Sequence, residues 1–385
     1  MKVFIIAGEP SGDKLGGALM RGLKTILGDS SVELQGIGGV NMVDQGLTSR
    51  FAMSELSIMG IAEVLPKYWH LKRRISETAD AVIAANPDVL ITIDSPDFCL
   101  RVAKLVKRKS RIRTVHYVAP TVWAWRAGRA VKMARVIDHV LALFPFEPPF
   151  MQAAGMDCDF VGHPVVSEPI ATEDEMAGFR DKYTLGSSPI LLVLPGSRRG
   201  EVMRLAPVFG QGLAPVLQRF PDLKVVIPTT HTTANILPDL VRDWKLPVTI
   251  LDPNNMKNED YLIEKRAIFK LSTAALAASG TVSLELAAAK TPMVIAYDMN
   301  WISRQIISRM LKVDTVTLVN LVSDTRVVPE FIGVNCKPDK ISEAVISILD
   351  DPEKQIDAME LTMDRLGLNG EDPGLRAAKA IVARL

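Results

Sequence analysis

The stretch Met1–Asp13, MKVFIIAGEPSGD, opens the chain with an apolar run that passes straight into a turn of small and acidic residues. A run so short and so continuously apolar reads as a strand covered on both faces. The residues behind it, DKLGGALMRGLKTIL (13–27), repeat their apolar positions at helical spacing. Strand, turn and helix make the first part of a β-α-β unit. The turn carries Glu9, Ser11 and Asp13 at the end of a buried strand, where a bare scaffold seldom gathers two acids and a serine.

The same pattern recurs along the chain. In the first half VELQGIG (32–38), DVLITID (88–94), RTVHYVA (113–119) and HVLALFP (139–145) read as further strands, with DFCLRVAKLVKR (97–108) among the helices between them. The second half restarts it with PILLVLPGS (189–197), DLKVVIPT (222–229), PVTILD (247–252), AALAAS (274–279) and PMVIAYD (292–298). The polar, proline-bearing stretch HPVVSEPIATEDEMAG (163–178) reads as a linker. The pattern predicts an α/β chain of two tandem Rossmann-like, doubly wound domains, ending in helices over DKISEAVISILDD (339–351) and GLRAAKAIVARL (374–385).

Composition agrees. A chain of 385 residues, 48% hydrophobic and 23% charged, has material for two cores. No stretch reaches the length of a membrane-spanning helix, and the start does not read as a signal peptide. Cys99, Cys158 and Cys336 are too far apart for a metal or redox spacing and read as buried thiols of a reducing compartment, so the expected address is cytoplasmic. Residues 1–150 hold 20 Lys and Arg against 14 Asp and Glu, so the near-neutral total hides a basic first half and an acidic remainder. That basic half suits phosphates or an anionic membrane, or is solvated surface charge.

In doubly wound sheets ligands sit beyond the carboxyl ends of the strands, and the chemically distinctive turns all follow strands. In ASGTVSLE (278–285), Ser279, Gly280 and Thr281 would open a helix whose free N–H groups and dipole suit a phosphate, with Glu285 one turn on to accept from ribose hydroxyls; an ordinary helix cap reads the same. In LPGSRRGEV (194–202) a Gly-Ser turn runs into Arg198 and Arg199. Cations at a helix start oppose the macrodipole by a few tenths of a kcal/mol, roughly, which an anion bound there would offset. Arg198 would clamp a diphosphate and Glu201 would orient it, the alternative being a surface arginine pair. In ITIDSPDF (91–98), Asp94 emerges from an apolar run and could take a proton from a hydroxyl, whereas Asp97 reads as a helix cap.

HYVAPTVWAWRAGR (116–129) sets Trp123 and Trp125 beside Arg126 and Arg129, a composition for sugars, acyl chains or nucleic-acid bases, or for a packed tryptophan pair. His116, inside a strand, reads as a core histidine. Ser57–Ile75, SIMGIAEVLPKYWHLKRRI, mixes Met59, Ile61, Trp69 and Leu71 with Lys72, Arg73 and Arg74. An interfacial membrane segment has this make-up, and so does a helix packed on a core.

Taken together, AGEPSGD, SIMGIAEVLP, IDSPDF, HYVAPTVWAWR, FVGHP, LPGSR with Glu201, and SGTVSLE resemble, in order and spacing along essentially the whole chain, the lipid-A-disaccharide synthases, GT-B glycosyltransferases of lipopolysaccharide synthesis. The resemblance implies a UDP-2,3-diacylglucosamine donor, a 2,3-diacylglucosamine 1-phosphate acceptor, inversion to a β-1,6 disaccharide with release of UDP, and no metal or cofactor. It implies an acceptor domain, 1–165 with about 355–385, whose last helix crosses back, and a donor domain, 166–354. By the same motifs Asp94 becomes the base and Arg198 the diphosphate clamp. Ser279, Gly280, Thr281, Glu285 and Asn320 become the nucleotide site, and Ser11 and Asp13 lie near the reacting sugars. The implied partners are those two substrates and an anionic inner-membrane surface, not nucleic acid; a homo-oligomer is left open. The chain departs from the family pattern at Asp298, where a cation is expected after the tyrosine, and at Arg199. The alternatives are an enzyme like UDP-N-acetylglucosamine 2-epimerase, which would need no acyl-binding surface, and a nucleotide-sugar-binding protein without a base. A nicotinamide dehydrogenase is disfavoured, because no G-x-G-x-x-G follows the first strand.

Overall fold

The computed structural model describes residues 1–56, 61–124, 128–244, 246–299 and 313–385, with backbone alone over 61–68. The chain divides into two compact units, Met1–Ser167 with Leu366–Leu385, and Glu168–Arg365.

The first unit carries β1 (Lys2–Ala7), β2 (Glu33–Ile37), β3 (Val89–Ile93), β4 (Arg113–Tyr117), β5 (His139–Ala142) and β6 (Asp157–Phe160) in one parallel sheet of order β2-β1-β3-β4-β5-β6. Its first helices are α1 (Pro10–Leu27), α2 (Val40–Val43), α3 (Ile61–Ala85), α4 (Pro96–Lys109), α5 (Gly128–Met133) and α6 (Pro148–Ala153). Every residue of β3 is buried, as a strand covered on both faces requires. Phe4, Ile6 and Leu90 meet Ile75, Ala79 and Val82 of α3 and Phe98, Val102 and Val106 of α4. Because β2 and β3 lie on opposite sides of β1, the strand order reverses between β1 and β3, which opens a crevice beyond their carboxyl ends.

The second unit repeats the plan. Its strands are β7 (Ile190–Leu194), β8 (Lys224–Pro228), β9 (Val248–Leu251), β10 (Ala274–Ala277), β11 (Met293–Tyr297) and β12 (Glu330–Ile332), all parallel, in the order β12-β11-β10-β7-β8-β9. Here the reversal falls between β7 and β10. The described helices are α7 (Glu173–Lys182), α8 (Arg199–Arg219), α9 (Leu237–Arg242), α10 (Asn258–Leu271), α11 (Val282–Ala289), α12 (Leu318–Ser323), α13 (Pro338–Asp350) and α14 (Glu353–Leu366). The end of the expected linker, 173–178, is helix. Thr172 and Glu175 form a reciprocal capping box that starts α7.

A final helix, α15 (Pro373–Val382), packs on α1 of the first unit. The chain returns there at Leu366 and not near 355, because α14 is held by the second unit. The Gln355 amide exchanges two hydrogen bonds with the Met293 backbone, at 2.8 and 3.1 Å, and Arg365 donates to the Val322 carbonyl at 2.7 Å. In the first unit α1 and α15 approach through glycine. A Cβ on Gly22 would stand 2.6 Å from the Gly374 carbonyl oxygen, and one on Gly374 would stand 2.6 Å from that of Ala18. Arg376 then donates to the Phe160 carbonyl at 2.9 Å, and Arg384 pairs with Asp159 at 2.6 Å.

Gly22→Val should force these helices apart. Overpacking of this kind costs about 1–3 kcal/mol, so a calorimetric scan should show a lowered transition for the variant. An unchanged melting curve would contradict the close approach.

Candidate active site

The turns that follow the four strands at the two reversals are GEPSGD after β1, DSPDF after β3, PGSRRGE after β7 and ASGTVSLE after β10. The register of the sheets sets them side by side in pairs. Ala7 is opposite Ile93 in the first unit, and Leu194 is opposite Ala277 in the second.

In the second unit the two turns line a cleft of about 480 Å³. Gly196, Ser197 and Glu201 come from one side and Ser279, Gly280, Thr281 and Glu285 from the other. Gly196 has φ +119, open to glycine, and an added Cβ would fall 2.7 Å from that of Glu201. Thr281 is the N-cap of α11 without a side-chain capping bond, and Gly280 is exposed. Thr229, Thr230, His231, Asn258, Tyr261 and Lys265 also line the cleft. None of these six was singled out in the sequence. Lys265 pairs with Glu285 at 2.5 Å, a contact between α10 and α11 with no local signature. His231 shares a hydrogen bond of 2.8 Å with Asn254, and the Tyr261 hydroxyl donates to the Thr229 carbonyl. Burial pushes the Tyr261 hydroxyl up to about 12, so it stays a donor.

Arg198 is the N-cap of α8 and follows Ser197 of that cleft in sequence. Its side chain is 70% exposed and, among the described residues, pairs with Glu201 at 3.4 Å. Such an exposed pair contributes little to stability, which leaves the guanidinium available to an anion. Tyr297 donates to the same Glu201 carboxylate at 3.4 Å. At Asp298, where the pattern lacks its cation, Arg204 of α8 donates to the backbone carbonyl at 3.3 Å.

In the first unit Asp94 is half-buried just beyond β3, and its N–H donates to the Tyr117 carbonyl at 3.0 Å. Burial raises its proton affinity above the ordinary aspartate range, against a lowering by the Ser95 backbone. Asp97 is exposed in the first turn of α4, and Ser11 is exposed in the first turn of α1.

Three of the expected residues are engaged within the protein. Asp13 is held by the fold. It is 2% exposed, and its carboxylate accepts from the N–H groups of Gly39, Asn41 and Met42 and from the Asn41 amide, at 2.7–3.2 Å. It ties α1 to the start of α2. Asn320 is 1% exposed and turned to its own segment. Its amide donates to the Val328 carbonyl at 2.9 Å and accepts from the Val328 N–H at 3.0 Å. Arg74, expected at a membrane, is committed to the protein: it grips both oxygens of Glu55, at 2.9 and 3.0 Å, and lies 4.4 Å from the Phe51 ring. Trp69 does face solvent, 72% exposed, with Lys72 5.2 Å from its ring centroid; Arg73 is exposed and Leu71 half-buried. Met59, the Ile61 side chain, Trp125 and Arg126 lie outside the described residues. Cys99 and Cys158 are buried thiols, whereas Cys336 is only half-buried.

His116 is a core histidine, paired with the Thr92 hydroxyl at 2.8 Å and pushed down to about 4 by burial. A buried carboxylate, Glu147, went unnoticed in the sequence. It accepts from the N–H groups of Leu143 and Phe144 at 3.1 and 3.0 Å, and burial raises it to about 7. The FPFEPPF stretch holds no cue, because the Leu143 and Phe144 groups that donate to Glu147 are backbone N–H groups. No described helix is long and apolar enough to cross a membrane, and the described residues hold no cluster of metal ligands.

Asp13→Ala would strand several buried donors, each costing about 1–3 kcal/mol. The variant should melt well below the parent, while UDP binding measured by calorimetry stays unchanged. Normal melting with lost turnover would return Asp13 to the substrate.

Residues 3–381 match the family described as lipid-A-disaccharide synthetase. The chain is 60% identical to the lipid-A-disaccharide synthase of Ruegeria pomeroyi, covering 100% of this chain and 96% of that one. It is 44% identical to that of Rhodospirillum centenum, covering 99% and 94%. Among solved structures it is similar to the S. aureus MnaA–UDP co-structure (TM-score 0.64, 12% identity, 99% and 94% covered). It is also similar to the UDP-GlcNAc 2-epimerase of Neisseria meningitidis bound to UDP-GlcNAc (TM-score 0.59, 13% identity, 100% and 99% covered). At such identities the two structures speak for the GT-B-like, two-unit α/β fold alone, whereas the relatives and the family match speak for the chemistry: the chain belongs to the lipid-A-disaccharide synthases, glycosyltransferases of lipid A biosynthesis.

Proposed function

We propose that the chain transfers 2,3-diacylglucosamine from its UDP conjugate to the 6-hydroxyl of 2,3-diacylglucosamine 1-phosphate in a single inverting displacement. The acceptor oxygen forms the new bond to the anomeric carbon. The bond from that carbon to the diphosphate oxygen breaks on the opposite face, UDP leaves with the electron pair, and the hydroxyl proton passes to Asp94. An α-linked donor then gives a β-1,6 disaccharide 1-phosphate.

The observation that carries this reading is Asp94 itself, a half-buried carboxylate of raised proton affinity at the strand-order reversal of the first sheet. A neutral sugar hydroxyl is a poor nucleophile, so a base must remove its proton as it attacks. The second-unit cleft supports the donor half. The start of α11 suits a phosphate through its N–H groups and dipole, and Lys265 and Arg198 add cations. Glu285, already held by Lys265, is set to accept from ribose. Developing charge on the leaving diphosphate would be met by these groups, as electrostatic stabilisation of a transition state requires. Acyl substrates would be drawn from a membrane surface, and the exposed Trp69 with Lys72 and Arg73 supports peripheral attachment at the cytoplasmic face.

Asp94→Asn keeps the shape and removes the proton acceptor. Turnover should fall by roughly 10²–10⁴ while UDP binding and melting hold, and Asp97→Asn should lose little. Because the base works deprotonated and burial raises its proton affinity, the acid limb of kcat should lie above the ordinary aspartate range and vanish in Asp94→Asn. Near-normal turnover in that variant would rule out the base.

Trp69→Ser combined with Lys72→Glu and Arg73→Glu should shift the protein out of the floating fraction with vesicles rich in anionic lipid. Each basic residue near such a surface is worth about 1 kcal/mol. Arg74 is left alone because it anchors Glu55. Unaltered flotation would leave this face without a membrane role.

A further inference from the structure

We propose that Gly8 and Ser95 are positioning residues that aim the Asp94 carboxylate, Gly8 by leaving room for a strained turn that no other residue type at that position would admit. The proposal rests on the reading of Asp94 as the base.

The turn after β3 has two successive non-glycine residues in the left-handed region, Asp94 at φ +49 and Ser95 at φ +43. Aspartate visits that region occasionally, but two such residues in a row persist only where their surroundings enforce them. Beside them, at the end of β4, Val118 has φ +85, which is rarer still for a β-branched residue. Three strained residues at the ends of two adjacent strands mark the spot where the first sheet meets its ligand.

The contacts identify what holds the turn. On one side the Asp94 N–H donates to the Tyr117 carbonyl at 3.0 Å, immediately before Val118. On the other side Ser95 lies against β1's turn. A Cβ on Gly8 would stand 2.4 Å from the Ser95 Oγ and 2.9 Å from its Cβ, distances that real atoms do not adopt. The parallel register makes this meeting obligatory, since Ala7 and Ile93 are paired neighbours in the sheet. The Ser95 hydroxyl is buried and has no hydrogen-bond partner among the described residues, although Ser95 is the N-cap of α4. A capping serine normally spends its hydroxyl on the helix. Here the left-handed backbone turns it towards Gly8 instead. The turn is therefore clamped between β4's end and Gly8, and the Asp94 side chain leaves from the middle of the clamp. Gly8 belongs to the AGEPSGD stretch, whose glycine thus has a task separate from that of Asp13.

The test compares Gly8→Ala, Ser95→Gly and the double variant in the full-length protein, with kcat, KM for the acceptor, UDP affinity and melting temperature measured on each. Gly8→Ala should push Ser95 out of place and lower kcat about a hundredfold, as a misplacement on the order of 1 Å does, with UDP affinity unchanged. Ser95→Gly keeps access to the left-handed region but loosens the turn, and should cost kcat several-fold with little change in KM. In the double variant the added methyl has room, so kcat should return to the Ser95→Gly level. If Gly8→Ala alone does not fold, the double variant still decides. A double variant well below Ser95→Gly, or a Gly8→Ala protein with parental kcat, overturns the proposal while leaving Asp94 as the base. Parental turnover in Asp94→Asn removes the base reading, and this proposal with it.

Discussion

The arrangement on which the rest depends is the reversal of strand order beside the first strand of each sheet. Parallel strands buried on both faces need crossover connections. When successive crossovers leave β1 or β7 in opposite directions, the turns beyond the two central strands have no helix over them. Polar residues can stand there at the mouth of an otherwise apolar core. In the first unit that place holds Gly8 and the Asp94–Ser95 turn; in the second it holds the Gly196–Glu201 and Ser279–Glu285 turns. The glycines, the helix starts and the perturbed carboxylate all follow from that one topological fact.

The electrostatics of the second unit have a common form. Two of its cations, at and beside the cleft, each have an acidic neighbour: Lys265 has Glu285 and Arg198 has Glu201. Neither pair is buried enough to be a major source of stability. Their value lies in orientation. Glu201 also accepts from Tyr297, so the arginine at the start of α8 is held against a fixed partner, and its repulsion from the helix dipole is partly offset.

Much of this was legible in the sequence, and the limits have physical reasons. The eight central strands stood out because burial on both faces makes them largely apolar runs, and two edge strands, β2 and β9, were legible with them. The strands that escaped, β6 (DCDF) and β12 (EFI), are the opposite edge of each sheet, short and half-exposed, with no such run to see. The Asp94 turn and the two turns of the second cleft could be found because they directly follow buried strands. The roles of Asp13, Asn320 and Arg74 could not, because a polar side chain's task depends on what the fold brings to it. Asp13 meets backbone donors of residues 39–42, and Arg74 meets Glu55. Lys265 lies in mid-helix on α10 and owes its place in the cleft to α11, a contact without any local spacing. The capping box of Thr172 and Glu175 is legible as T-x-x-E, although the polar, proline-bearing residues around it read as linker.

The central claim is a single displacement assisted by a carboxylate of the first unit, with the diphosphate held by the second. The stereochemistry of the product tests it most directly. The protein would be incubated with UDP-2,3-diacylglucosamine and 2,3-diacylglucosamine 1-phosphate, and the anomeric coupling of the purified disaccharide read by proton NMR. One inversion predicts a β linkage, with one UDP released for each disaccharide formed. An α linkage, or conversion of the UDP-sugar without a disaccharide, would contradict the account.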